Sequence, residues 1–407
     1  MAMRIVANRP DPAILGLPWH LPLEEWPDDV VVPLPRGLSR HVVRIVRLGE
    51  RVYAVKETQD DVAFREYKML RDLQRIGMPA VVAQGVVTGR EDDDDEELPA
   101  ALITRHLQFS LPYRSLFSRG MTAEHIPTLI DAIVVLLVRL HLAGFYWGDV
   151  SLSNVLFRRN AGEFSAYLVD AETGELRDEV GDRMRDYDIT VGCENIFAEL
   201  MDLEASGAVH EIDGFAIIEH LRSRYEALWS ELTDLEEFRA DEMWRIERRV
   251  ERLNDLGFDV DELDIVTDLD GDTIRIQPKV VDLGHHTREV QALTGMSVED
   301  NQARRLLNDL ASYTAHFDLG REDRHLVASR WMHEIFEPIM AMIPPDATGK
   351  LEPAEVFHEI LEHRWYLSEQ AGQQVDTFDA ARDYIDRMLT AKPDEAIAGD
   401  EDVTAEE

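Results

Sequence analysis

The stretch from Leu140 to Asp170 constrains the fold more than any other. Asp149 and Asn154 are spaced Asp-x-x-x-x-Asn, and an apolar segment ends shortly afterwards in Val169-Asp170. Val155–Phe157 and Ala166–Val169 are short apolar runs joined across Asn160-Ala-Gly162, which predicts a β-hairpin. Such a ribbon carries Asn154 and Asp170 to the same end. One carboxylate there can orient an acceptor hydroxyl. An amide oxygen and a second carboxylate can hold a divalent metal on a nucleotide's phosphates. The fold must therefore bring Asp149, Asn154 and Asp170 into one cleft.

Composition bounds the rest. The chain has 407 residues, enough for two or three domains, and its 45% hydrophobic content is that of a folded protein. Lys and Arg number 42 against 81 Asp and Glu, a formal net charge of −39. So acidic a surface repels phosphate backbones and anionic lipid heads, which makes nucleic acid and membrane surfaces poor partners. A local basic pocket can still hold ATP. Cys193 is the only cysteine, so disulfide frameworks and cysteine zinc sites are excluded. Met1–Pro12 lacks the basic-then-apolar order of a signal sequence. The longest apolar stretch, Leu129–Val138, is broken by Asp131 and closed by Arg139, short of the ~20 residues that span a bilayer. The expectation is a soluble, cytoplasmic protein with no membrane insertion.

Residues 1–29 are rich in Pro and Trp and predict an irregular arm that docks its Trp side chains on the body. Val30–Leu34, Val42–Leu48 and Val52–Lys56 predict three strands. Between the first two, Gly37, Ser39 and nearby backbone N–H groups are placed to contact phosphate oxygens. Asp60–Ile76 predicts an amphipathic helix whose Glu66 shares a face with Leu70 and Leu73. A carboxylate on an inward face needs a cationic partner, and Lys56 is the nearest candidate. Val81–Thr88 and Ala100–Leu107 predict two further strands, separated by the seven acids of Glu91–Glu97, read as a disordered hairpin loop. Arg105-His106-Leu107 precedes a change of composition and suits a hinge.

Residues 123–142 predict a largely buried helix that ends at Gly144. Arg183–Glu204 predicts a helix beneath the 147–154 loop. Its Asp188 either accepts hydrogen bonds from that loop or faces its own helix dipole. Tyr225–Leu253 predicts a long charged helix, and Ile265–Leu269 with Thr273–Val281 a hairpin around Asp270-Gly271. Asp268-x-Asp270-Gly-Asp272 lacks the register of a calcium loop. Helices at 297–316, 321–342, 353–371 and 376–390 follow, the first opening on the capping sequence Ser297-Val-Glu-Asp300. His358 and His363 are five apart, do not share a helical face, and read as part of a solvated helix rather than a zinc site. Lys392–Glu407 reads as an acidic, disordered tail.

Leu140-His-x-x-Gly144-x-x-x-x-Asp149-x-x-x-x-Asn154-Val-Leu resembles the catalytic loop of protein-kinase-like enzymes. Tyr53-Ala-Val-Lys56 resembles their ATP-positioning strand, Glu66-x-x-x-Leu70-x-x-Leu73 their lysine-pairing helix, and Val169-Asp170 their magnesium-binding segment. The similarity is closest to lipopolysaccharide-kinase-like and other atypical bacterial kinases. The whole chain also resembles an uncharacterised bacterial family that joins such a half to a helical domain, sharing stretches like Asn195–Leu203. The resemblance implies an α+β chain: a two-lobed kinase-like fold with an additional, mainly α-helical C-terminal domain. The implied parts are an arm (1–29), an N-lobe (30–107), a C-lobe (108–210), the helical domain (211–392) and the tail (393–407).

It implies ATP and Mg2+ as cofactors. Lys56 and Asp149 would be catalytic, with Asn154 and Asp170 on the metal. Lys56, Glu66, Gly37, Ser39, Arg40, Arg105, His106 and Leu107 would line the nucleotide site. Trp147-Gly148 stands where eukaryotic-type kinases carry His-Arg, Ser151 replaces a Lys, and Asp170-Ala-Glu172 replaces Asp-Phe-Gly. Arg40 or His41 is a candidate source of the charge missing at Ser151, and Glu172 is either an extra metal ligand or a salt-bridged surface acid. No Ala-Pro-Glu segment follows, which favours a small-molecule or glycan hydroxyl over a peptide as acceptor. The alternative is a pseudokinase serving as a nucleotide-sensing or protein-binding module. The helical domain is also a candidate docking surface for a protein partner.

Overall fold

In the computed structural model, the alternating Val52-Tyr-Ala-Val-Lys56 segment becomes an inner strand of a five-stranded antiparallel sheet. The structure describes residues 3–8, 11–32, 41–234 and 284–397. Between the last two ranges it describes the strand backbones at 236–239, 258–259, 262–267, 273–279 and 282–283, with residues 245 and 248. Two compact units are formed. Met1–Arg158 with Ser165–Arg224 makes the first, and Arg159–Phe164 with Tyr225–Ile397 the second. The division at 224/225 lies beyond the expected 210/211, and the tip of the predicted hairpin goes to the second unit. The chain is α+β, with helices dominating the C-terminal part.

The first unit begins with β1 (Arg4–Ala7), β2 (Val43–Leu48), β3 (Arg51–Thr58), α1 (Asp60–Arg75) and β4 (Ala83–Thr88). The pair β5 (Arg90–Glu91) and β6 (Glu97–Leu98) and then β7 (Ala100–Arg105) follow. The sheet order is β1-β4-β7-β3-β2. The fifth strand is therefore not Val30–Leu34. Among its described residues, only Val31 makes an isolated bridge, to Val46. The arm supplies the missing strand as β1, whose Arg4–Ala7 pairs with Thr88–Gly85 along the edge that β4 would otherwise expose.

The rest of the arm docks as expected. Ile14, Leu17, Trp19, Leu23 and Trp26 cover one sheet face against Val46, Tyr53, Val55, Val87 and Ile103. Both indoles find acceptors within the arm, Trp19 on Ile14 O at 2.8 Å and Trp26 on Leu21 O at 3.1 Å. A buried Arg90 ties arm to sheet by donating to Trp19 O at 3.1 Å and to Glu57 at 2.8 Å. Glu57 in turn accepts from Leu23 N at 3.0 Å. The acidic run is a hairpin, not a disordered loop: Asp92 accepts from the backbone N–H of Asp94 and Glu96, which turns the chain between β5 and β6.

The second half of this unit comprises β8 (Ser110–Leu111), α2 (Tyr113–Ser118), α3 (Ile126–Leu142), β9 (Phe145–Tyr146), most of β10 (Val155–Asn160) and β11 (Glu163–Leu168), β12 (Glu175–Leu176), α4 (Asp182–Ala205) and, as far as Arg224, α5 (Gly214–Thr233). Ala123–Leu142 is long and apolar enough to cross a membrane, which corrects the shorter stretch read from the sequence. Most of it is buried, with Ile130, Ile133, Val134 and Leu137 inside the core. Gly144 closes the helix at φ +81°, and a Cβ there would sit 2.1 Å from Arg177 O, so only glycine fits. The β10–β11 hairpin forms as predicted. Ala161 and Gly162 take φ 51° and 87°, the positive values a tight two-residue turn requires.

In the second unit, α5 ends at Thr233 and Glu236–Arg239 is a strand. The long helix predicted over 225–253 is therefore cut short. Glu236–Arg239 pairs with Thr273–Ile276, and Glu262–Thr267 pairs with the same strand, so the expected hairpin is one edge of a three-stranded sheet. Asp268, Asp270 and Asp272 lie outside the described residues. Helices at His285–Thr294, Asp300–His316, Arg324–Trp331, Pro353–Ala371 and Thr377–Arg387 surround Trp331, Phe336, Phe357 and Tyr384. The helix over 321–342 is interrupted by a wide turn at Met332–Phe336, and the capping box is Glu299 with Gln302 rather than Ser297 with Asp300. His358 is buried rather than solvated, and His363 meets Asp383 at 2.9 Å.

The hairpin tip is woven into this unit. Asn160 Oδ1 accepts from Asn301 N at 2.8 Å and so serves the first turn of the 300–316 helix. Glu355, 3% exposed, accepts from Ala161 N at 2.8 Å and from Gln302 Nε2 at 2.9 Å. Arg159 pairs with Glu395 at 2.9 Å, so the start of the predicted disordered tail is ordered. Glu355→Ala strands two donors, and should lower the urea stability of this unit by about 2–3 kcal/mol.

Candidate active site

Lys56 lies two residues before the end of β3, which pairs with β2 as far as Lys56 and with β7 as far as Thr58, and its side chain reaches Glu66 on α1. Its Nζ lies 3.0 Å from Glu66 Oε2 and 2.7 Å from Asp170 Oδ2. Glu66 is held there by the buried face of α1 that also carries Ala63, Tyr67, Leu70 and Leu73, and is itself 1% exposed. Glu172 Oε2 approaches the same amine at 3.6 Å and His41 Nε2 at 3.3 Å.

Electrostatics follow from this crowding. Burial, with Asp170 beside it, pushes the Glu66 carboxyl up to about 7, although Lys56 pulls the other way. Burial works against the Lys56 ammonium, but Glu66 and Asp170 outweigh it and hold its pKa above the usual value. Glu66, Asp170 and Glu172 present oxygens within 4.8 Å of one another. The Glu172 Oε2 atom is buried, sits at ion-pair distance from Lys56 and His41, and makes no hydrogen bond. An excess of carboxylate over cation with one unbonded buried oxygen fits a divalent metal, whose charge such oxygens would balance.

The loop from Trp147 to Asn154 carries the other two predicted residues. Asn154 Nδ2 donates to Asp149 Oδ2 at 3.1 Å and to Asp149 O at 3.0 Å, leaving Oδ1 as its acceptor end. Val169 N donates to Asn154 O at 3.0 Å, which ties that loop to the segment bearing Asp170. Asp170 Oδ1 accepts from Glu172 N at 3.1 Å, a short turn that swings Glu172 back toward Lys56. Asp188 settles its two readings in favour of the loop: fully buried, it accepts from Trp147 N at 2.9 Å, Gly148 N at 2.7 Å and His141 Nε2 at 3.1 Å.

At the hinge, Arg105 N donates to Val82 O and His106 N to Val52 O, at 2.8 and 2.9 Å. Leu107 O accepts from Ser110 Oγ. Burial lowers the His106 pKa to about 4. A histidine depressed from 6.5 contributes stability that is fully present above about 6.5 and is lost as pH falls toward 4. His106→Phe should therefore lose less stability than the parent between pH 7 and pH 5, measured as urea midpoints.

The structure thus brings Lys56, Glu66 and Asp170 together, and Asp149 with Asn154. Gly37, Ser39 and Arg40 lie outside the described residues. Sequence reasoning assigned no role to Asn195, Glu199 or His141. The available signal was the spacing of Asp188, Asn195 and Glu199, steps of seven and four that share one helical face.

Residues 47–191 match the lipopolysaccharide kinase (Kdo/WaaP) family, and residues 227–389 match a domain of unknown function, DUF4032. No curated protein matches the chain. Among solved structures, WaaP in complex with acyl carrier protein is similar at 17% identity, over 61% of this chain and 99% of that one, with a TM-score of 0.33. The chain therefore joins a segment matching the lipopolysaccharide kinase family to one matching a domain of unknown function, the two-part organisation that the whole-chain resemblance implies.

Proposed function

We propose that the first unit is an ATP- and magnesium-dependent phosphotransferase whose acceptor is a hydroxyl of a glycan or small molecule. The observation that carries the reading is the convergence of Glu66 from α1 and Asp170 from the end of the hairpin on the amine of Lys56 from β3, at 3.0 and 2.7 Å. The match to a lipopolysaccharide kinase family supports a sugar hydroxyl over a peptide. Lys56, held by Glu66, would contact phosphate oxygens. Asp170 and Asn154, with Glu172 beside them, would hold the metal. When bound there, the metal neutralises charge on the phosphates. Asp149 would orient the acceptor hydroxyl and take its proton as the γ-phosphoryl group passes to the acceptor oxygen and ADP leaves. The chain's part is positioning and charge stabilisation.

Purified full-length protein with Mg-ATP tests the reading. Magnesium-dependent thermal stabilisation together with ADP release, accelerated by a sugar acceptor, is the expected result. Stabilisation without any turnover identifies the unit as a nucleotide-sensing pseudokinase. Neither effect removes the nucleotide site altogether.

A further inference from the structure

Asp188, Gly192, Asn195 and Glu199 follow one another on α4 at steps of four, three and four, which places them along a single helical stripe. The 147–153 loop is laid out against that stripe almost residue for residue. Asp188 takes the N–H groups of Trp147 and Gly148. A Cβ at Gly192 would lie 3.0 Å from Val150 Cγ1, so the helix backbone approaches the loop closely at that step. Asn195 Nδ2 donates to Asp149 Oδ1 and to Val150 O, both at 3.1 Å. Glu199 takes the N–H groups of Leu152 and Ser153 at 2.7 and 3.0 Å. Three of the four steps hold backbone or packing. Asn195 reaches the side chain of Asp149.

From this geometry we propose that Asn195 is the positioning residue for Asp149, fixing its carboxylate from the helix side while Asn154 fixes it from the loop side. The proposal rests on the phosphotransferase reading of the same site. The two oxygens of Asp149 each accept an amide N–H, Oδ1 from Asn195 and Oδ2 from Asn154. The carboxylate plane is thereby pinned by donors on two different elements. Both N–H groups of Asn195 are spent on this loop, one on the carboxylate and one on Val150 O. Both of those partners are oxygens that only accept, so the amide nitrogen must face them. As a neutral amide, Asn195 orients the carboxylate without placing a net charge beside it. It supplies orientation to a residue that must meet an acceptor hydroxyl within hydrogen-bond reach, where a displacement of about 1 Å costs on the order of 100-fold in rate.

The test compares Asn195→Ala and Asn195→Asp with the parent full-length chain. ADP release from Mg-ATP gives kcat and the KM for nucleotide, and hydrogen exchange reports on the peptide covering 147–155. Asn195→Ala should lower kcat by about 10- to 100-fold with the nucleotide KM unchanged, and speed exchange in that peptide while α3 and the sheet exchange as before. Asn195→Asp keeps the shape but turns oxygens toward both acceptors, and should lower kcat further. Retained kcat with unchanged exchange in 147–155 overturns the proposal. So does a parallel loss of kcat, nucleotide affinity and protection across the whole unit, which would mark a merely structural asparagine. If the parent chain releases no ADP, the phosphotransferase reading fails, and the exchange measurement alone decides whether Asn195 holds the loop.

Discussion

Lys56→Met should lower turnover by about 100- to 1,000-fold and weaken the thermal stabilisation given by Mg-ATP, while the protein stays folded. The loss in rate follows from removing the one ammonium group that the carboxylates of Glu66 and Asp170 hold at the head of the site. Methionine keeps the length of the stem and hence the packing of β3. The fold survives for a reason specific to this cluster. Glu66 is almost fully enclosed, and losing its cationic partner would leave a buried charge, ordinarily a severe penalty. Its pKa already stands at about 7, so in the variant it takes up a proton and stays in place as a neutral acid. Circular dichroism at pH 7 should therefore match the parent, and ADP release should not. Turnover within a few-fold of the parent would remove Lys56 from the nucleotide site.

Asp188→Ala should cost about 3–5 kcal/mol of unfolding free energy, read from urea denaturation of the full chain. Three donors lose their acceptor at once: the N–H groups of Trp147 and Gly148 and the ring of His141. Two of the three lie where water does not reach, since Asp188, His141 and Trp147 are at most 2% exposed, and Gly148 is half-buried. A stranded buried donor costs roughly 1–3 kcal/mol, and the three are not additive because they share one acceptor. Asp188→Asn keeps one carbonyl oxygen and should cost less. A loss below about 1 kcal/mol for the alanine variant would mean that the loop does not depend on this residue.

Much of this site is legible in the order of residues. Lys56 and Glu66 stand ten residues apart on an apolar strand and the amphipathic helix after it, and a carboxylate on the inward face of a helix has to find a cation. Asp170 is legible for another reason: a hairpin turning on Ala161-Gly162 returns its second strand to the level of Asn154. Glu172 is not. Its residue type and position leave it open as metal ligand or surface acid, and only the turn closed by its N–H on Asp170 Oδ1 brings it to Lys56 and His41. The arm is legible in its tryptophans, but not in its strand. Arg4–Ala7 is too short to show a period, and it pairs because β4 has an open edge, a fact held some 80 residues away. The 225–253 helix fails at 236–239, where a charged helical stripe also suits an edge strand and the neighbouring strand decides.

By itself, the sequence determined which side chains must meet. Local periodicity and the cost of an unpaired inward charge were enough to join Lys56 to Glu66, and one tight turn to join Asp170 to Asn154, because each constraint acts within a few residues of the chain or forbids the alternative outright; that both pairs share one cleft was implied by the resemblance to kinase-like enzymes. Tertiary structure alone decided what holds the meeting place still. Asp188, Asn195 and Glu199 lie some 40 residues beyond the loop they support; the sequence left Asp188 with two readings and marked the other two only by the helical face they share with it. They act only once α4 lies beneath residues 147–153, where Asp188 and Glu199 accept backbone N–H groups of the loop and Asn195 donates to the Asp149 carboxylate.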